Sequence, residues 1–248
     1  MNGTFLFLGT GASTGVPMIG CRCAVCTSPS PYNKRLRPSG LIKIGGKSFL
    51  IDAGPDFRNQ ALIYKIDHLD GLLLTHTHYD HMAGIDDLRP YSFRTKEPMP
   101  CLLSGDSLKT LRLRYHYLFQ SQALKCQELK EGEQEFEGVP VTCFNYVQGS
   151  MTVTGFRFGD FAYVSDIRTY DESIFTVLKG VKKLVLSTLK REASRAHLSL
   201  AEAVEFAHKT GAYRTWLTHV SHHLDHDEGE RHLPKEVRMG YDGLTIDF

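Results

Sequence analysis

The chain has 248 residues, 42% of them apolar and 23% charged, the composition of an ordinary globular domain with apolar material enough for its own core. Twenty-nine basic residues stand against twenty-eight acidic ones, so no global field draws in a polyanion. No run of roughly 18 apolar residues is present and MNGTFLFLGTG lacks the regions of an export signal, so the expectation is a cytoplasmic protein that does not enter a membrane.

The stretch TFLFL at 4–8 is β-prone and stops at Gly9-Thr10-Gly11, a strand followed by a loop. That loop, about 12–39, is rich in Gly, Pro and Ser and too long to stand in a compact domain without an anchor. Cys21, Cys23 and Cys26 supply one: CxCxxC places three soft thiolates close together, the partial signature of a structural zinc site that needs a fourth ligand. With three of the six cysteines crowded there, metal is favoured over disulfides. GLIKIGGKSFLIDAG reads as two strands about the Gly45-Gly46 turn, with Asp52 at the exit of the second. PDFRNQALIYKI reads as an amphipathic helix starting at Pro55 and Asp56.

Next, the apolar run at 71–74 reads as a buried strand, and directly after it come His76, His78, Asp80 and His81. If the strand continues through His76 and His78, two apart, they face one side and can grip one ion. Asp80 and His81, past Tyr79, can turn to a second, which is the arrangement of two-metal hydrolysis. In DDLR, Arg89 is either a phosphate contact or, more commonly for such a sequence, the partner of a nearby Asp. CLLSG is a short strand and DSLKTLRLRYHYLF a helix whose Arg112, Arg114 and His116 either reach a substrate or, more commonly for such residues, face water. Residues 127–137 carry five glutamates and read as a solvated turn or edge. VPVTCFNYV, MTVTGFRF and FAYVSD form a meander ending at Asp166, and TYDESIFTVLKG fits a helix. VKKLVLST is a strand, and SLAEAVEFAHKTG a helix capped by Ser199 with Glu202 and closed by Gly211. His197 lies just ahead of that helix. YRTWLTHVSHHLDH repeats the opening device, a strand ending in histidine, and GYDGLTIDF closes the chain with a turn and a strand.

The order strand, HxHxDH, glycine resembles the metallo-β-lactamase fold hydrolases, which implies a single α/β (α+β) domain over 1–248, a four-layer αββα sandwich with metals at one edge. A CxCxxC loop at this position with a late histidine is similar to the cyclic phosphate phosphodiesterases of phosphonate catabolism. By that resemblance His76, His78, Asp80, His81, Asp166 and His219 are metal ligands, with Asp166 bridging. Cys21, Cys23, Cys26 and His222 hold a structural Zn2+, and Asp52 orients a ligand without binding metal. His197 is either a catalytic proton donor or a capping or packing histidine. His223 and His226 are surface residues, His226 alternatively lining the cleft.

Two departures stand out. The resemblance implies one more ligand histidine before Asp166, but none occurs between His116 and His197, and counting strands puts Gln148, a weak donor, at that place. Ser187-Thr188 stand where an acidic partner for His197 is expected.

The function implied is a metal-dependent phosphodiesterase acting on a small cyclic phosphate ester, with one or two Zn2+ or Mn2+, Asp80 and His197 in catalytic roles, and a metal-bound hydroxide as nucleophile. The alternatives are a tRNA 3′-processing endonuclease, for which near-neutral charge offers little, and a non-catalytic metal-binding protein of the same fold. A homodimer is left open.

Overall fold

The computed structural model describes residues 2–248. Among the described residues the first seven strands are β1 (Gly3–Gly9), β2 (Ser39–Ile44), β3 (Lys47–Ile51), β4 (Gly71–Leu73), β5 (Met99–Leu103), β6 (Leu124–Glu128) and β7 (Gly132–Phe136). The others are β8 (Val139–Gln148), β9 (Met151–Phe158), β10 (Phe161–Val164), β11 (Lys183–Ser187), β12 (Arg214–Thr218), β13 (Val237–Met239) and β14 (Thr245–Asp247). They form two seven-stranded sheets, β14-β1-β2-β3-β4-β5-β6 and β13-β12-β11-β10-β9-β8-β7.

Side-chain alternation builds the layers. Phe5 and Phe7 of β1 and Phe49 and Ile51 of β3 face one way, meeting Phe161 and Tyr163 of β10 in a cluster between the sheets. Leu8 and Leu50 face the other way, onto Phe57, Tyr91, Leu111 and Leu118 of the helices Phe57–Ile63, Arg89–Thr95, Gly105–Arg114 and His116–Gln120. On the second sheet Ala162 and Val164 pack on Ile174 and Phe206 of the helices Ile174–Val177 and Leu200–Thr210. Three apolar clusters thus fill the three gaps of a four-layer α/β sandwich.

Several expectations hold at the level of elements. Gly45 and Gly46 both take positive φ (58° and 76°) in the hairpin turn, a conformation glycine reaches without steric cost. Helix Leu200–Thr210 has the full capping box of Ser199 and Glu202, and Gly211 ends it at φ 68°. The glutamate-rich stretch falls at β6 and β7, the exposed outer strands of the two sheets, where charge opposes edge-to-edge pairing.

Others need correction. The strand before the histidines ends at Leu73 instead of running through His76 and His78. Asp56 precedes helix Phe57–Ile63 but makes no side-chain cap, because its carboxylate accepts three bonds from Arg37. The helix read through DSLKTLRLRYHYLF breaks at Tyr115. Helix His226–His232 and strand β13 were not anticipated.

Candidate metal centre

Strands β3 and β4 run parallel, as do β10, β11 and β12, so their C-terminal ends share one edge of the sandwich. Asp52, Asp166 and His219 follow β3, β10 and β12 with positive φ of 61°, 57° and 61°. For non-glycine residues such a conformation costs about 1–3 kcal/mol each and is kept only where the surroundings enforce it. Here Asp52 N bonds Leu73 O (3.0 Å) and Val220 N bonds Thr10 O (2.8 Å), pinning two of the turns.

The third element, the turn and short helix Tyr79–Met82, is locked onto the segment after β3. Ala53 N donates to His81 O (2.8 Å) and Gly84 N to Ala53 O (2.8 Å). This approach requires glycine: a Cβ on Gly54 would lie 2.0 Å from Asp80 O, and one on Gly84 2.0 Å from Gly54 O.

Asp52 is wholly buried and organises two histidines at once. His81 Nδ1 donates to its Oδ2 (2.7 Å), and Thr75 donates through both N (2.8 Å) and Oγ1 (2.8 Å). Because the Thr75 proton is given to Asp52, its oxygen accepts from His76 Nδ1 (2.9 Å). Each ring's Nδ1 is thereby committed to Asp52 or Thr75, and Nε2 is the nitrogen that faces the cluster.

The other half of the cluster gathers on Asp166, which is 1% exposed. Its Oδ2 lies 2.9 Å from His81 Nε2, and its Oδ1 lies 3.2 Å from His219 Nε2 and 3.1 Å from His197 Nδ1. Asp80 Oδ2 is 3.3 Å from His219 Nε2 and 3.4 Å from His81 Nε2. His78 Nδ1 is 2.9 Å from His76 Nε2 but joins none of the three-ligand groups, which are His76–His81–Asp166, Asp80–His81–His219 and Asp166–His197–His219. Gln148 reaches the cluster with its donor end, Nε2 to Asp166 Oδ1 (2.9 Å), while its Oε1 is buried without a partner.

These residues fit divalent cations. His81 Nε2 is buried and makes no hydrogen bond despite its 2.9 Å separation from Asp166, an unpartnered donor atom within the cluster that a cation would satisfy. Ligand atoms about 2.0–2.1 Å from a tetrahedral ion stand about 3.3 Å apart, close to the spacings above. The buried carboxylates and imidazoles are strongly coupled. Burial works against the Asp166 charge, yet His219 and His81 hold it well below the usual carboxylate range. Burial likewise opposes a proton on His81, but Asp166 and Asp80 raise it well above the ordinary value. His76 is lowered by burial and by the neighbouring His81, and His197 is pushed down to about 4 by burial and His219.

A second group forms at the loop. Cys21 Sγ and Cys23 Sγ each lie 3.4 Å from His222 Nδ1, and Cys26 completes the set, with all four ligand atoms within 4.8 Å of one another. The backbone N–H of Cys26 and the His222 ring lower Cys23 to about 6, towards the thiolate that binds zinc.

The loop has a further anchor that the sequence did not signal. Buried Arg35 donates to Thr10 Oγ1 (2.7 Å), Gly240 O (2.6 Å) and His226 Nδ1 (3.0 Å), and Asn33 bonds Asp225 Oδ2 (2.7 Å) and His226 N (3.0 Å). His226 is therefore neither a surface residue nor part of the cleft: it is 7% exposed and stacked on Tyr32. Thr75 was also missed, since a threonine before a histidine carries no metal signal of its own. Arg89 pairs with Asp86 (2.6 Å), and Arg112, Arg114 and His116 face solvent as expected. Ser187 Oγ is buried without a partner and Thr188 Oγ1 bonds Leu198 O (3.3 Å), so neither serves His197.

Above the cluster opens a cleft of about 490 Å³, lined by Ser13, His78, Tyr79, Ser150, Met151 and Ala196 as well as ligand-type residues, with no Lys or Arg. Larger cavities of about 810 and 700 Å³ lie elsewhere and contain none of these groups.

Comparison with protein families matches residues 47–220 to the β-lactamase superfamily domain. Among solved structures, a diphosphatase from the PhnP family is similar at 36% identity and a TM-score of 0.95, covering 100% of this chain and 98% of that one. An octanoyltransferase of Porphyromonas gingivalis is 35% identical over 96% of this chain, which spans only 50% of that protein's length. A ribonuclease Z of Mycobacterium sp. (strain KMS) is 43% identical over 63 residues, 25% of this chain and 22% of that protein.

Proposed function

The chain belongs to the β-lactamase superfamily as a metallo-β-lactamase fold hydrolase close to the PhnP family, and from that premise we propose that it is a metal-dependent phosphodiesterase acting on a small cyclic phosphate ester. The observation that carries the reading is Asp166: one buried carboxylate whose two oxygens face separate imidazoles, beneath an open polar cleft. Zinc or manganese held there would neutralise charge on phosphate oxygens and lower the pKa of water enough to attack phosphorus at neutral pH.

The chain's own residues set the geometry for that attack. Asp80, His81, Asp166 and His219 would hold an ion, and Asp52 fixes the ring of His81, so these groups would need little reorganisation during reaction. Ser13 and Ser150 offer hydroxyl donors to a phosphate at the mouth, and Tyr79, 66% exposed, flanks the entrance. His197 stands at Asp166 Oδ1, where a leaving-group proton donor or a ligand would be placed.

The volume suits a small substrate. A lining without Lys or Arg gives an RNA backbone nothing to neutralise it, which favours a small diester over a tRNA precursor. Met151 and Ala196 are the only aliphatic lining residues, too little for a fatty acyl chain. The test is turnover by protein reconstituted with Mn2+ or Zn2+, using bis-4-nitrophenyl phosphate, a five-membered cyclic phosphodiester and a tRNA precursor. Preference for the cyclic diester, and a loss of about 100- to 1000-fold in Asp166→Ala, is expected. Metal-loaded protein that turns over no diester, or is unaffected by Asp166→Ala, overturns the proposal.

A further inference from the structure

We propose that Cys101 and Cys126 form a redox-reactive thiol pair, which hydrogen peroxide converts into a reversible cross-strand disulfide. The inference is independent of the cleft and of the bond cut there.

The pair stands apart from the other cysteines. Cys21, Cys23 and Cys26 gather with His222 in the loop, and Cys143 of β8 is buried in the cluster between the sheets. Cys101 and Cys126 belong instead to the cluster beneath the helices. Strands β5 and β6 run parallel, and these two residues are partners in their register. Neighbouring strands lie about 4.8 Å apart, so the two Cα atoms fall within the roughly 4.4–6.8 Å that disulfides span. Alternation puts both side chains on one face: Met99, Cys101 and Leu103 of β5 and Leu124 and Cys126 of β6 all pack under the helices. A bond between them needs no change of register. Parallel neighbours keep their Cβ atoms about as far apart as their Cα atoms, beyond the roughly 3.8 Å usual in disulfides, so the bond would close with strain and reopen readily to a thiol. In a reducing compartment such a bond is transient, formed on exposure to oxidant.

The two thiols differ as an attacking and a resolving sulfur should. Cys126 is partly exposed on β6, the outer strand of its sheet. The Cys101 thiol beside it and the charge of Arg112 favour its thiolate against the effect of burial. Arg112 is held nearby, with its guanidinium over the Phe119 ring at 5.8 Å from the centroid. Cys101 is 1% exposed, and the Cys126 thiol and burial hold it well above the ordinary value. Its own thiol donates to Met99 O (3.4 Å). A peroxide therefore meets Cys126 first. The Cys126 thiolate attacks a peroxide oxygen, the O–O bond breaks with loss of hydroxide, and a sulfenic acid forms. The Cys101 thiol then gives its proton to the departing oxygen and bonds the Cys126 sulfur, the S–O bond breaks and water leaves. The two thiols lose two electrons and two protons, and the hydrogen peroxide becomes two molecules of water.

The test uses the full chain loaded with zinc, so that the loop thiolates are masked. Protein is treated with hydrogen peroxide, free thiols are blocked with iodoacetamide, and intact mass and non-reducing peptide maps are recorded. Wild type is expected to lose about 2 Da, with the peptides of Cys101 and Cys126 joined, and dithiothreitol is expected to restore both thiols. Cys126→Ser is expected to leave Cys101 a thiol, and Cys101→Ala to stop the reaction at a sulfenic acid on Cys126 that dimedone traps. The wild-type map decides the bond even where a variant fails to fold. Wild type in which Cys126 is oxidised to the sulfinic acid while Cys101 stays a thiol, or in which neither reacts faster than Cys143, would overturn the proposal.

Discussion

Asp52 shows how much of a candidate metal centre is set by a residue whose own oxygens are already committed. It is wholly buried, bonds His81 directly and reaches His76 through the Thr75 hydroxyl, so removing it frees two rings together. Asp52→Ala is expected to weaken metal binding about 10- to 100-fold by chelator competition, with Asp52→Asn intermediate. Away from the cleft, Asp56 gives a clean pH dependence. Burial pushes its carboxyl up, but three hydrogen bonds from Arg37 outweigh that and leave it below the free value of 3.8. A depressed carboxylate contributes stability that is complete above 3.8 and is lost as pH falls through its lower folded value. Asp56→Asn should therefore melt about 2–4 °C below wild type at pH 6, for a loss of about 1 kcal/mol, and the gap should close towards pH 2. A gap that is constant with pH would assign the loss to something other than this charge.

At the scale of elements, the site is an agreement between strand ends. The segment after β3 and the helix Tyr79–Met82 touch through glycine, so Gly54→Ala forces Asp80 O away by more than an ångström, given the 2.0 Å approach of the new Cβ. The active-site metal should be lost while the cysteine zinc stays, as read by metal analysis. The reverse should hold for His222→Ala: one zinc fewer, with limited proteolysis confined to about residues 13–30, because Arg35 and Asn33 still tie the rest of the loop to Gly240 and Asp225. Cleavage spreading past Arg35 would show the second anchor to be too weak. What was legible in the sequence follows the same division. CxCxxC and the capping box are local patterns whose residues come together as spaced, whereas of HxHxDH His76, Asp80 and His81 enter the three-ligand groups and His78 does not. The left-handed turns at Asp52, Asp166 and His219, the Thr75 relay and the Arg35 anchor depend on partners from about 20 to more than 200 positions away, or on backbone strain, neither of which a residue pattern encodes.

For the molecule as a whole, the four-layer sandwich was implied by the resemblance to a known fold, and the alternation along β1, β3 and β10 explains it physically, since each strand feeds two of the three apolar clusters. The charged outer strands β6 and β7 keep the two sheets from growing at those edges. The sandwich leaves one rim where both sheets present C-terminal strand ends, and there the His/Asp cluster and the cleft coincide. Metal held by Asp166, in addition to metal held by the cysteines, is therefore the property on which a hydrolytic site at this rim depends. The direct measurement is metal content by plasma mass spectrometry on untagged protein purified without chelator, for wild type, His222→Ala and Asp166→Ala. The prediction is more than one ion per chain in wild type, loss of one zinc in His222→Ala, and only the cysteine-bound zinc remaining in Asp166→Ala. A single zinc in wild type that disappears in His222→Ala and is untouched by Asp166→Ala, with no further uptake when Mn2+ or Zn2+ is added, would contradict it.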